Sequence, residues 1–351
     1  TAAHIHGPAH VGVNAPVLFT LPLGTVTNRV INLTPAQVAQ LKAGLFYFDI
    51  HTFNSPNGEI RGQILFNPLE SARFFVRQQY ADFLARAPDT GGFDFWTGQI
   101  VNTCGADLNC IRQRRVDVSN AFFFEQEYQR TGSFVYRLYR AAFGNNLPVN
   151  LRNPDATTSC AGLPPLALLG AHLPRYEVFA ADRARLDATQ LAASQLALAN
   201  NFVTRPEFTA RYPSSLPEEL FVDFLLETIQ AASGVNLRSQ RAALVNLHNT
   251  SGRGAVLYRL ADDDAQGNPI NNRAFIDAEY NRAFVTTQYF GYLRRDGDVC
   301  GLNFWLNLVN QFPLRSPASQ NGMVCAFITS GEYQERFSLG VTRANQECPA
   351  P

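Results

Sequence analysis

Gln79-Tyr-Ala-Asp-Phe-Leu-Ala-Arg-Ala-Pro-Asp-Thr-Gly-Gly-Phe-Asp-Phe-Trp96 decides how most of this chain is read, because the stretch occurs twice. Gln288-Tyr-Phe-Gly-Tyr-Leu-Arg-Arg-Asp-Gly-Asp-Val-Cys-Gly-Leu-Asn-Phe-Trp305 aligns to it without a gap, from 79 to 288, an offset of 209. Gln, Tyr, Leu, Arg, Asp, Gly, Phe and Trp recur at identical spacing, and the two tryptophans of the chain share one repeat position. Phe75, Tyr80, Phe83 and Leu84 fall on one stripe at helical period. Arg86-Ala-Pro-Asp89 then breaks the helix, and Asp89 is placed to cap the next one, as Asp298 is in the second copy.

A second signature follows each copy. Ala121-Phe122 with Glu127-Tyr128-Gln129 matches Ala326-Phe327 with Glu332-Tyr333-Gln334. Phe202 to Glu207 keeps the same Phe-to-Glu spacing, Phe275-Ile-Asp-Ala-Glu279-Tyr280 is a looser version, and Tyr136 to Gly144 echoes the first signature. Such recurrence points to a helical repeat array whose units bury aromatics against one another. Trp96 and Trp305 are therefore expected to fill cores. Glu127, Glu207 and Glu332 are expected to bond the preceding turn or to pair with Arg86 and Arg295.

The stretch from Leu84 to Trp96 and the Phe/Glu signatures resemble the bacterial phycobilisome-linker-like helical domain of unknown function. The likeness extends over most of 70–340, with 146–190 and 213–270 divergent. It implies scaffolding and interaction in secreted or surface proteins, and no known reaction.

The first 67 residues have a different pattern. Pro16–Leu21, Leu45–Ile50 and Glu59–Leu65 are rich in β-branched and aromatic residues and are bounded by Gly, Pro and Asn. Thr34-Pro35 opens a short helix with Thr34 as N-cap and Pro35 at the first helical position, and Gly44 ends it. Asn54-Ser-Pro-Asn-Gly58 is a turn between the last two strands. Ala3-His-Ile-His-Gly-Pro-Ala9, Asn14-Ala-Pro-Val, Leu33-Thr-Pro-Ala-Gln, Ala43 to Thr52 and Pro56 to Ile64 together resemble the chordin-type (CHRD) domain, in order. The resemblance implies an all-β extracellular module. That family carries strands ahead of the Ala-His-Ile-His motif, whereas this chain begins there, so a partial β-domain with an incompletely covered sheet is expected. An upstream fragment or a neighbouring copy, adding a strand or a surface, would cover it.

Four of the six histidines, His4, His6, His10 and His51, lie in this segment. On a strand, His4-x-His6 puts both imidazoles on one face. With His51 or His10 as a third ligand, the pair can chelate copper or zinc. Alternatively, His6 and His51 hydrogen-bond within the domain, with Glu59 as a partner, and only hold strands together.

Six cysteines, Cys104, Cys110, Cys160, Cys300, Cys325 and Cys348, show no C-x-x-C. An even count without metal-finger spacing reads as disulfides and an oxidising compartment. Local sequence suggests Cys104–Cys110 and Cys300–Cys325, leaving Cys160–Cys348. The start at Thr1 reads as a processed or truncated product, and a secreted mature protein is the simplest expectation.

With 29 Lys+Arg and 29 Asp+Glu, the net charge is zero. A protein that neutralises phosphates needs a basic surface, so nucleic acid is not the expected partner. Neutrality also removes one guard against self-association. No apolar run reaches the roughly 18 residues of a membrane span. Asp262-Asp-Asp264 lacks the alternating ligands of an EF-hand and reads as a solvated loop. No nucleophile elbow, Walker loop, H-E-x-x-H or dinucleotide glycine pattern is present, so nothing in the sequence suggests an enzyme.

The expected architecture is α+β and multidomain. A partial antiparallel β-sandwich (1–67) precedes an all-α repeat region, with a first helical unit (68–145), a loop-rich connector (146–185) and further helical units (186–345). The expected function is a secreted or cell-surface structural protein that self-assembles into a homo-oligomer, filament or layer, or mediates adhesion, with a surface glycan as a further candidate partner. The alternative is an extracytoplasmic copper- or zinc-binding module using His4, His6 and His51.

Overall fold

The computed structural model describes residues 1–24, 29–155, 160–161, 172–263 and 267–348. A small antiparallel sheet is followed by a mostly helical region, which is the α+β layout expected. Strands β1 (Ala2–His6), β2 (Val17–Leu21), β3 (Tyr47–His51) and β4 (Ile60–Gln63) stand in the order β2-β1-β3-β4. Helix α1 (Pro35–Lys42) lies between β2 and β3 in sequence. Its N-terminus is a reciprocal capping box, with Thr34 accepting from the Gln37 amide and the Gln37 side chain accepting from the Thr34 amide. Gly44, at φ +70°, ends it in a conformation that favours glycine.

Because strand side chains alternate, the sheet has two unlike faces. Cross-strand register places Phe19, Ile5 and Phe48 in one row and Leu21, Ala3, Ile50 and Ile60 in the next, all on one face. The other face carries Thr20, His4, Asp49 and Arg61 in one row and Val17, His6, Tyr47 and Gln63 in another. The apolar face is only half-buried, and Ile60 is 61% exposed. One sheet with one incompletely covered face is therefore what the partial sandwich amounts to.

The chain divides into two compact units. The first comprises Thr1–Ala81, Arg86–Ala121 and Val324–Ala350. It holds the sheet, α2 (Ala72–Gln79), α3 (Thr90–Cys104), α4 (Leu108–Phe124) as far as Ala121, the end of α14 (Pro317–Ile328) and α15 (Gly331–Glu335). Its interior contains a charged node. Glu70, 2% exposed, receives bonds from Arg343 Nη2 at 2.7 Å and Thr342 Oγ1 at 2.5 Å, and Arg115 Nη1 lies 3.3 Å away.

The second unit, Asp82–Ala85 and Phe122–Met323, is helical in its described residues. Every residue of α6 (Gly132–Phe143) is buried, packed by α10 (Glu218–Ser233), α11 (Arg241–Ala261) and α12 (Arg273–Gln288). Arg140 of α6 makes two bonds to Glu279, Nε to Oε2 at 3.0 Å and Nη2 to Oε1 at 3.2 Å, and the Tyr136 hydroxyl donates to the same carboxylate at 3.1 Å. Removing one partner of a buried pair of this kind would leave an uncompensated charge in the interior.

The two copies of the repeat share local geometry in detail. Each closes its first helix with a π-helical turn, Tyr80–Leu84 and Tyr289–Leu293, followed by a left-handed residue, Ala85 at φ 56° and Arg294 at φ 52°. Asp89 Oδ1 accepts from the Gly92 amide at 2.8 Å, and Asp298 Oδ1 from the Gly301 amide at 2.6 Å. A Cβ at Gly92 would collide with the Tyr80 hydroxyl, and one at Gly301 with that of Tyr289. Arg86 and Arg295 lie over those same tyrosine rings, at 4.9 and 5.6 Å.

Several expectations are corrected. Cys104–Cys110 forms as read, but the other bridges are Cys160–Cys300 and Cys325–Cys348. Cys300 and Cys325 do not flank one local segment: Cys300 lies in the first turn of α13 (Val299–Val309) in the second unit, and Cys325 belongs to the first. By loop-closure entropy the three bridges contribute about 2.4, 5.0 and 3.4 kcal/mol in chain order. Trp96 and Trp305 do not fill cores. Both are half-buried beside exposed neighbours, Phe95 (56%) and Phe304 (45%). Glu207 accepts from the Asn150 side chain. Asp262 is not in a solvated loop: it is fully buried beside Arg259 and Arg130, while Asp264 lies outside the described residues. Much of the stretch read as a connector also lies outside them, yet it contains helix α7 (Tyr176–Arg183).

Candidate metal centre

Three histidines and one aspartate meet on the polar face of the sheet. Strand alternation puts His4 and His6 of β1 on that face, and likewise Asp49 and His51 of β3. Antiparallel register then sets His4 opposite Asp49, His6 opposite Tyr47 and Ala2 opposite His51, so the four polar side chains are direct or diagonal neighbours. One donor atom from each lies within 4.8 Å of all the others. His6 Nε2 and His51 Nε2 are each 3.0 Å from Asp49 Oδ2, and His4 Nδ1 is 3.6 Å from Asp49 Oδ1.

The outer atoms of two rings fix their tautomers. His6 Nδ1 lies 2.8 Å from the Ala15 carbonyl, and His51 Nδ1 lies 2.8 Å from that of Pro56. A carbonyl can only accept, so each Nδ1 carries its proton, and in the neutral ring Nε2 presents a lone pair to the centre. Such carbonyls orient metal-binding histidines in the same way.

Electrostatics then poses a problem that neutral imidazoles do not solve. Asp49 is 6% exposed, and a carboxylate so deeply placed needs a compensating positive charge. Among the described residues no arginine or lysine pairs with it. Arg61, its cross-strand neighbour, is directed elsewhere: its guanidinium lies 3.5 Å above the Tyr47 ring and donates to Asn14 and to the Val13 carbonyl. His4 Nδ1, His6 Nε2, His51 Nε2 and Asp49 Oδ1 have no hydrogen-bond partner. Two nitrogen lone pairs 3.0 Å from a carboxylate oxygen repel unless a cation, a metal ion or added protons, lies between them. A tetrahedral zinc site with bonds of about 2.0–2.1 Å has edges of about 3.3 Å; here the imidazole nitrogens lie 3.0–3.6 Å from the Asp49 oxygens and the four donors lie within 4.8 Å of one another, so the rings close in slightly on an ion. Tyr47 walls the site, stacking on His6 at 4.8 Å and 9°. A cavity of about 500 Å³ opens beside His6, Asp49 and His51 and gives an ion a way in.

The sequence-based triad is thus brought together, and Asp49 is the member that sequence reasoning missed. Asp49-x-His51 repeats on β3 the spacing of His4-x-His6 on β1, which is the signal that could have found it. Glu59 is not the partner of His6 or His51; Asp49 is. His10 is no part of the centre. It is 6% exposed against another wall, where burial first, and then the Arg115 charge, hold its imidazole below the usual range against a hydrogen bond to the Gly105 backbone.

Comparison with known families bears on this region. Residues 1–64 match the CHRD domain model, which covers the sheet and all four residues of the centre. No curated protein and no solved structure matches the chain. Among the described residues, no helix is long and apolar enough to cross a membrane.

Proposed function

We propose that the CHRD domain of this chain is a metal-stapled β-module. His4 Nδ1, His6 Nε2, His51 Nε2 and Asp49 hold one zinc ion that ties β1 to β3. The observation that carries this reading is the pair of inward ring nitrogens, oriented by the Ala15 and Pro56 carbonyls, facing a buried carboxylate that no arginine or lysine among the described residues neutralises. Three nitrogens and one oxygen suit zinc, and four protein ligands close a tetrahedral site with no position left for substrate, which favours a structural role over a catalytic one. Copper(II) prefers tetragonal geometry and is the second candidate. The CHRD match and three disulfides support an extracellular setting.

X-ray absorption on the zinc-loaded full chain tests the reading. Three nitrogens and one oxygen at about 2.0–2.1 Å are expected. A shell of six oxygens, as for a loosely held surface ion, contradicts it.

A second reading concerns assembly and rests on the apolar sheet face. A second copy of the chain covering Phe19, Phe48, Ile50 and Ile60 would bury that face, and zero net charge sets up no repulsion between copies. The shared geometry of the two helical repeats supports a scaffold role like that of the phycobilisome-linker-like domain. Sedimentation that shifts to larger species with concentration, and stops shifting in Ile60→Lys, is expected; a monomer at all concentrations contradicts this reading.

A further inference from the structure

Away from the metal centre, the first unit holds a cleft of about 330 Å³ between the loop after β1 and the facing sides of α2 and α3. That volume is at the lower end of the ~300–1,000 Å³ of small-molecule sites. Two of its lining residues, each more than nine-tenths buried, carry a polar atom without a hydrogen-bond partner: Nε2 of His10, 6% exposed, and Oγ1 of Thr97, 8% exposed. A buried polar atom without a partner costs about 1–3 kcal/mol, so two on one cleft call for a ligand or ordered water. Ser71, at the N-cap of α2, makes no side-chain capping bond, which leaves the first amides of that helix available to a ligand oxygen.

The chemistry of the walls narrows the occupant. Arg73 and Asp94 at the mouth are paired at 3.5 Å, and the lining Glu70 is already held by Arg115 and Arg343, so the cleft has no charge to spare for an ion. Burial disfavours the charged form of His10, which leaves a ring that can accept a hydroxyl proton. Thr97 can donate or accept, the Arg73–Asp94 pair offers both functions, and Val13 and Val101 supply apolar wall. We propose that this cleft binds a neutral saccharide unit, whose hydroxyls meet His10 Nε2 and Thr97 Oγ1 and whose C–H face lies on the valines.

Saturation-transfer NMR on the full chain, with glucose, galactose, mannose and N-acetylglucosamine as probes, tests this. Signal from at least one sugar is expected. The isosteric Thr97→Val, and separately the exposed Asp94→Asn, should each weaken binding about three- to tenfold. A chelator should leave binding unchanged, so that this result stands apart from the metal reading. No signal from any of the four sugars, with ordered water alone in the cleft, would overturn the proposal. So would binding that both variants leave intact.

Discussion

Two buried carboxylates in the first unit have opposite surroundings. Glu70 sits among Arg115, Arg343 and Thr342 and has cationic donors for both oxygens. Asp49 sits among three imidazoles, two of them locked with lone pairs inward. Both are almost wholly inaccessible, at 2% and 6%. Arginines complete the first node, whereas the second has only imidazoles, which neutralise its carboxylate when they are protonated or bridged by a cation. Burial alone therefore does not separate a structural carboxylate from a ligand; the sign of what faces it does.

Removing each carboxylate is the strongest way to break this contrast. Glu70→Ala leaves two arginines facing one another in the interior and should cost about 3–5 kcal/mol, read as the shift in a denaturant midpoint, with or without metal. Asp49→Asn should act only through the ion. The unsubstituted chain should gain about 2.7 kcal/mol at a free zinc concentration of 100 times Kd, and the variant should lose most of that gain while its metal-free stability changes little. An Asp49→Asn chain that unfolds as readily as Glu70→Ala, zinc or no zinc, would erase the distinction.

Acid sharpens it further. Burial pushes the Glu70 carboxyl up, but the Arg115 and Arg343 charges and the bonds from Arg343 and Thr342 outweigh that and hold it below 4.5. A carboxyl depressed in the folded state adds stability above its unfolded value, and that stability is lost as pH falls through the folded value. The Glu70 contribution should thus be full above the ordinary glutamate range and fade as pH falls below it, as a pH series of denaturant melts on the unsubstituted chain and Glu70→Gln would show. Persistence of the full difference at pH 2 would contradict the assignment.

The smallest effects concern the repeat. Asp89→Ala and Asp298→Ala each remove an N-cap and should each lower the denaturant midpoint by a similar small amount. Unequal losses, with one near zero, would show that the two copies share sequence without sharing energetics.

Much of this was legible in the chain because it is local. The Thr34 cap, the Asn54–Gly58 turn, the two Asp caps and the alternation of His4 and His6 depend on residues a few positions apart. What failed depends on distance. Cys300 pairs with Cys160, 140 residues away, and no local pattern encodes that. Trp96 and Trp305 carry the volume of core residues, yet each stays only half-buried beside an exposed phenylalanine. Asp262 looked solvated because its neighbours are acidic, and Arg259 and Arg130 draw it inside. Asp49 escaped notice because a single aspartate in a strand has no meaning until cross-strand register sets it against His4.

Metal content is the most direct test of the central claim. The full chain, equilibrated with zinc and dialysed against metal-free buffer, should retain about one ion per chain by elemental analysis. The His6→Ala, His51→Ala double variant, checked for native circular dichroism, should retain almost none. A dialysed chain without metal, or a double variant that holds as much as the unsubstituted protein, would contradict the account.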